Sequence, residues 1–100
     1  MNSGKEDEFR PFLVGAVMRF GVRLRSIRQR RGLSQEQVAH DAGIAVQTYS
    51  CLERGIAPGG GYANPTLETI LRVLHALGVA PTSLTLSTTS QPDDVTYPQI

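Results

Sequence analysis

The sequence predicts a single all-α domain, a compact bundle of four to five helices. One hundred residues, 40% of them hydrophobic, fit one core of ordinary size. Apolar residues recur at intervals of three and four along several stretches, which is the helical period. Glycines follow these stretches, and glycine is the residue that most easily takes the left-handed conformation at a helix end. We therefore expect the domain to cover residues 11–85, with a disordered tail over residues 1–10 and a second tail over residues 86–100.

The first predicted helix covers residues 12–31 and follows Pro11, a residue tolerated in the first turn of a helix. Gly15 and Gly21 weaken this helix by about 1 kcal/mol each relative to alanine. Gly32 ends it. Either one long helix or two abutting helices satisfy its apolar stripe, which consists of Leu13, Val17, Phe20, Leu24 and Ile27.

A second helix, residues 35–42, has complete start and stop signals. Ser34 stands at its N-cap and Gln37 three residues later, the pattern of a capping box. Gly43 provides the position at which it ends and the chain turns. The helix is therefore short and is followed at once by another.

The third predicted helix covers residues 46–54 and ends at Gly55. Ala45, Tyr49 and Leu52 fall on one side of it, which we assign to the core. The opposite side is too poor in charge for an ordinary solvated surface, which indicates that it meets another molecule; it consists of Val46, Gln47, Ser50 and Cys51.

The rest of the domain is predicted as a glycine-rich loop, a fourth helix and a short fifth one. Residues 55–65 form the loop, between glycine and proline. Residues 66–77 carry a leucine and isoleucine stripe that ends at Gly78. After Pro81 the pattern allows one further turn of helix, residues 81–85.

Composition narrows the functions open to this chain. Arginines crowd the middle and acids lie mostly near the ends, which suits a polyanionic partner or a solvated arginine-rich helix face. A lone Cys51 and the distant His40 and His75 predict neither a metal site nor a cofactor. No nucleophile–base pair or paired carboxylates indicate an enzyme. Without a long apolar run or an export signal, we expect no membrane contact and a cytoplasmic location.

The run RLRSIRQRRGLSQEQVAHDAGIAVQTYSCLERG, followed by NPTLETILRVLHALGV, resembles the XRE family of helix-turn-helix proteins, the phage-repressor or Cro/C1 type. The resemblance covers about residues 22–79. It implies a lambda-repressor-like DNA-binding domain of about five helices, with the helix over residues 46–54 as the recognition helix in a DNA major groove.

The resemblance also implies roles for individual residues. Gln35 matches a position that grips a phosphate through its side chain and backbone amide. Arg28 and Glu53 match a structural ion pair between the first and third helices. The remaining DNA contacts that it implies are Val46, Gln47 and Thr48 at the start of the recognition helix, Ser50 and Cys51 one turn later, and Arg54 at its end.

Two features depart from the family pattern. Ala45 stands where a capping serine or threonine is usual, so the recognition helix lacks about 1 kcal/mol of cap stabilisation. An apolar segment also precedes the usual start of the first helix, and we interpret it as a candidate dimer contact made by Phe12, Leu13, Val14, Val17 and Met18. Packing on the fourth helix of the same chain is one alternative, and dimerisation through the fifth helix and tail is another.

The sequence thus predicts a regulator, most simply a repressor that binds double-stranded operator DNA as a homodimer. One alternative is the antitoxin or controller component of a toxin-antitoxin or restriction-modification system, since such components are small regulators of this kind. A protein-interaction adaptor, in which the third helix meets a protein partner, is the alternative from another functional class.

Overall fold

The computed structural model describes residues 3–82, with side chains from Lys5 onward. Four helices follow one another along the chain, and this part contains no strand beyond one isolated bridge between Ile56 and Tyr62. The all-α fold class is therefore confirmed. The helices are α1 (Ser3–Arg30), α2 (Gln35–Ala42), α3 (Val46–Arg54) and α4 (Leu67–Leu77).

The prediction of a disordered tail over residues 1–10 is wrong from Ser3 onward, because α1 begins there and continues through Pro11. Proline removes one hydrogen bond inside a helix but does not always end it. Four of the residues before it, Lys5, Glu6, Glu8 and Arg10, are good helix formers, and Glu6 and Arg10 have the spacing of four that brings opposite charges together. The helix is one continuous element, which settles the choice between one long helix and two.

Local signals place α2 and α3 where the sequence predicts them. Ser34 Oγ accepts a hydrogen bond from the backbone N–H of Gln37 at 3.0 Å, and the Gln37 side chain accepts one from the Ser34 N–H at 2.8 Å. Gly43 ends α2 with a φ of 74°, in the left-handed region. The turn that follows is short, so α2 and α3 are neighbours in space as well as in sequence.

Helix α4 begins one residue later than predicted, because Thr66 is its N-cap and accepts a hydrogen bond from the Thr69 N–H at 3.1 Å. Pro81 and Thr82 are helical. The predicted fifth helix beyond Thr82 and the tail over residues 86–100 lie outside the described residues.

One core joins the four helices. Helix α1 packs on α3, and α2 packs on both α3 and α4. Tyr49 is completely buried at the centre, so the inward side of α3 is fixed against the rest of the bundle. The other buried apolar side chains are Leu24, Ile27, Val38, Ala39, Ala42, Leu52, Ala63, Val73, Leu74 and Leu77.

Candidate nucleic-acid interface

The outer side of α3 is exposed along its first turn. Val46 is 41% exposed, and Gln47 and Thr48 are exposed beside it. Ser50, one turn on, is half-buried, and Arg54 is exposed at the last position of the helix. The structure thus leaves a short apolar and amide surface with a single guanidinium at its far end.

Cys51 does not belong to this surface. It is 4% exposed, so the prediction that it faces outward is wrong. The guanidinium of Arg54, three residues further along, lies over the sulfur, with Nη2 3.6 Å from Sγ. Because the long Arg54 side chain covers it, the short Cys51 side chain cannot reach a DNA groove, although helical periodicity places it on the outer side of α3.

Ala45 is exposed, so its assignment to the core is also wrong. It is the N-cap of α3 and has an extended backbone, with φ −69° and ψ 146°, so helical spacing does not apply to it. No side chain caps the helix there. The first N–H groups of α3 therefore remain unpaired at the exposed end of the helix.

The beginning of α2 offers a second set of free N–H groups. The capping box uses the N–H groups of Ser34 and Gln37, and those of Gln35 and Glu36 have no carbonyl partner within the helix. Such groups at a helix N-terminus bind anions such as phosphate. The backbone of Gln35 is therefore placed for the contact that the sequence predicts.

The side chain of Gln35, unlike its backbone N–H, is already paired with another residue of the bundle. Its Nε2 donates a hydrogen bond of 2.9 Å to Oε1 of Glu53, which ties the start of α2 to the end of α3. No local sequence pattern predicts this link, because the two residues are 18 positions apart. Gln35 thus contributes to the angle between the two helices.

The predicted ion pair between Arg28 and Glu53 is present and is the buried polar centre of the domain. Arg28 Nε donates to Glu53 Oε2 at 2.6 Å and Nη2 donates to Oε1 at 3.1 Å, a two-point contact. Only 12% of the Arg28 side chain and 3% of the Glu53 side chain are exposed. Arg28 Nη1 also donates to the carbonyl of Leu33 at 2.9 Å. One guanidinium therefore connects α1, the turn before α2, and α3.

The charges in this centre shift one another's pKa. Burial alone would raise the pKa of Glu53, but hydrogen bonds from Arg28 and Gln35 outweigh it and hold that pKa below its ordinary value. Burial, and then the nearby Glu53 carboxylate, raise the pKa of Tyr49. The hydrogen bond to Glu53 raises the pKa of Arg28. Glu53 is therefore charged and Tyr49 neutral at ordinary pH, although the buried Tyr49 hydroxyl has no well-aligned hydrogen bond among the described residues.

A close approach of backbones positions α3 against α1. Gly21 is buried, and a Cβ at this position would lie 2.4 Å from the carbonyl oxygens of both Leu52 and Glu53. Gly55, which ends α3 with a φ of 74°, lies against Met18 in a similar way. A Cβ added at Gly55 would lie 3.2 Å from the Cα of Met18. The sequence marked Gly21 only as a weak point in a helix; here it allows α1 and α3 to touch.

The five candidate dimer residues do not share one exposed face. Leu13 and Val17 are half-buried and line a depression together with Leu52 and Ile70. Phe12 and Met18 are 61% and 49% exposed, Phe12 toward α4 and Met18 beside the end of α3. Val14 is half-buried. Phe9, which lies in the predicted N-terminal tail, is 50% exposed, and its ring centroid lies 6.0 Å from that of Phe12.

The loop between α3 and α4 is a small hairpin. Ile56 and Tyr62 pair across it, and the Ala57 N–H donates to the Gly61 carbonyl at 3.0 Å. The N–H of Ala63 donates to the Gly55 carbonyl at 3.0 Å, which ties the loop to the end of α3. These bonds hold the exposed tip, residues 58–61, next to the end of α3.

Two other kinds of site are absent between Ser3 and Thr82. In this part of the chain no three histidine, cysteine, aspartate or glutamate side chains are grouped for a metal ion. None of its helices has an apolar stretch of the length needed to span a bilayer.

Known proteins share this arrangement. The family model described as helix-turn-helix matches residues 24–84, more than half of the chain. The uncharacterized HTH-type transcriptional regulator y4dJ of Sinorhizobium fredii is 35% identical over 72 residues, which cover 72% of this chain and 86% of that protein. The restriction-modification controller protein C.AhdI from Aeromonas hydrophila has a crystal structure that matches with a TM-score of 0.62 and 34% identity, over 70% of this chain and 97% of that one.

The match begins at Leu24, so α1 up to Arg23 is an addition to the matched domain. Within the match lie the capping box, the glycine turn, the exposed start of α3 and both members of the buried ion pair. On the family model, the curated relative and the shared fold together, the chain belongs to the XRE, or Cro/C1-type, helix-turn-helix family.

Proposed function

We propose that this protein is a transcriptional regulator that binds double-stranded operator DNA in a sequence-specific manner. The observation that carries the proposal is the exposed, nearly uncharged start of α3, which the buried Arg28–Glu53 pair fixes to the rest of the bundle. A helix of this size fits the major groove. The amide of Gln47 would pair with adenine at two points, and Val46 would contact a thymine methyl group.

Phosphate contacts would flank this direct readout. The free N–H groups of Gln35 and Glu36 at the start of α2 supply one contact, and the exposed guanidinium of Arg54 supplies another. Because the Gln35 side chain is bonded to Glu53, its backbone amide is the group that meets the phosphate. Thr48 and Ser50 lie between these contacts and complete the proposed interface.

We further propose that the protein acts in the cytoplasm as a homodimer and as a repressor, without catalysis. Two copies would place two recognition helices about one DNA turn, ~34 Å, apart. The exposed side chains of Phe12 and Met18 support a seam through the apolar segment of α1 formed by Phe12, Leu13, Val14, Val17 and Met18. The likeness to C.AhdI favours a controller of a restriction-modification system among the small regulators.

The adaptor function remains the second candidate, because α3 lacks a side-chain cap. An uncapped, nearly neutral helix also suits a protein partner. The two candidates differ in how they respond to salt, since only DNA binding releases counterions from phosphates.

A mobility-shift measurement with operator DNA selected from random fragments tests the proposal. We expect retention that weakens steeply with salt, and Gln47→Ala should lose about 1–3 kcal/mol of binding free energy, a loss of affinity of about 5-fold to 150-fold. Gln29→Ala, the same change at an exposed position on α1, is the matched control and should bind like the unchanged protein. Equal binding of all DNA sequences, or equal loss in the two variants, would overturn the proposal.

A further inference from the structure

An apolar groove runs between α1 and α4, on a different side of the domain from the start of α3. Its volume is about 560 Å³. Phe20 and Ala16 form the α1 wall, and Ile70 and Leu74 the α4 wall. Its rim is apolar as well, because Phe12, Leu67 and Leu71 are 61%, 69% and 44% exposed. A continuous apolar surface of this kind indicates that something covers it.

The chain itself enters this groove at one end. Pro81 is one of the residues that line it, and the described part of the chain ends at the next residue, Thr82. Residues 83–100 continue from this point. Helix α4 is about 16 Å long at 1.5 Å per residue, and an extended chain covers that distance in about five residues at ~3.3 Å each. The remaining segment is therefore long enough to follow the whole groove and turn back.

The composition of residues 83–100 complements the groove. The segment contains two acids, Asp93 and Asp94, and neither lysine nor arginine. It also contains apolar side chains on both sides of the acid pair, namely Leu84, Leu86, Val95, Tyr97 and Ile100.

The groove carries positive charges that the described residues leave uncompensated. Arg19 and Arg23 line it, and neither forms an ion pair between Ser3 and Thr82. The Nε of Arg23 is buried and has no hydrogen-bond partner there. Buried N–H groups of a guanidinium normally have an acceptor, because an unsatisfied one is unfavourable. A second depression beside Arg23, at the end of α4, adds the guanidinium groups of Arg30 and Arg31.

We infer that residues 83–100 dock back into the α1–α4 groove of their own chain. Their apolar side chains cover the α4 side of the rim, formed by Leu67 and Leu71, and the carboxylates of Asp93 and Asp94 pair with Arg23 and Arg19. Docking would remove the exposed apolar surface of α4 and give the buried Nε of Arg23 its acceptor. The inference concerns a surface separate from α3 and does not depend on DNA binding.

A spin label on the segment tests the docking directly. The full chain with Ser90→Cys and Cys51→Ala would carry a nitroxide at position 90, and amide NMR signals would be recorded without DNA. We expect the amide signals of Leu67 and Leu71 to broaden when the nitroxide label and the isotope enrichment are on the same chain. They should stay sharp when labelled chains are mixed with isotope-enriched chains that carry no label. Sharp signals in both samples, or broadening only in the mixture, which would mean a second copy, would overturn the inference.

A second measurement leaves Cys51 unchanged. Asp93→Asn with Asp94→Asn should lower the thermal midpoint of the full chain by about 4 °C or more at low salt, and less at high salt. Asp7→Asn with Glu8→Gln is the matched control: it removes the same charge from exposed positions on α1 and should leave the midpoint nearly unchanged. Equal shifts in the two double variants would contradict the pairing with Arg19 and Arg23.

Discussion

Replacing Gly21 with alanine is expected to destabilise the protein by about 2 kcal/mol and to push α1 away from α3. The new Cβ would lie 2.4 Å from the carbonyl oxygens of Leu52 and Glu53. These are backbone atoms inside a helix, so no side-chain rotation relieves the overlap. Alanine favours a helix over glycine by about 1 kcal/mol, but the displacement of a packed helix outweighs this gain.

Gly15→Ala is the matched control, since it makes the same change in the same helix. A Cβ at Gly15 would meet only the guanidinium of Arg19, at 3.2 Å, and that group ends a flexible side chain. We expect this variant to be more stable by up to about 1 kcal/mol. Urea unfolding followed by circular dichroism measures both changes. Two changes of the same sign would show that the contact between α1 and α3 does not control stability.

Glu53→Ala is expected to lower the free energy of unfolding by about 3 kcal/mol or more. The change leaves the Arg28 guanidinium buried without its counter-charge and takes away the acceptor of the Gln35 amide. Urea unfolding at neutral pH is again the measurement. Operator affinity should fall as well, because Glu53 fixes the end of α3 to α1 and α2.

The control for Glu53→Ala is Glu68→Ala, which breaks the other ion pair of the described residues. Glu68 and Arg72 are one helical turn apart, with 73% and 50% of their side chains exposed. A solvent-exposed pair of this kind contributes under about 1 kcal/mol. Similar losses in the two variants would mean that burial of the Arg28–Glu53 pair has no special effect.

The loss of stability at acid pH tests the Arg28–Glu53 ion pair independently. The pKa of Glu53 lies below its ordinary value of 4.5 in the folded protein. Its stabilisation is therefore fully present above pH 4.5 and is lost as the pH falls through the lower, folded pKa. The unchanged protein should lose more stability than Glu53→Gln over this acid range. Parallel loss in the two proteins would contradict a charged, paired Glu53.

Much of the fold follows from signals that lie close together in the sequence. Ser34 and Gln37 define the start of α2, and Gly43 and Gly55 define two helix ends, because capping depends on residues a few positions apart. The inward position of Tyr49 follows from helical periodicity alone.

Other features depend on which helices meet, which local patterns do not contain. Gly15 and Gly21 look alike in the sequence, but only Gly21 lies against the backbone of α3. The burial of Cys51 depends on the path of the Arg54 side chain, and the role of Gln35 depends on the distant Glu53. Residues 3–10 resemble a polar tail in the sequence because proline is typical of a helix start, whereas Pro11 lies inside α1.

The contact between the start of α3 and base edges is tested most directly by the DNA consensus that the protein selects. Binding sites would be selected from random DNA with the unchanged protein and with Gln47→Ala. We expect a two-fold symmetric site with half-sites about one DNA turn, ~34 Å, apart, in which the variant relaxes the preference at one base pair per half-site. An identical consensus for both proteins, or no consensus for either, would contradict the placement of α3 in the major groove.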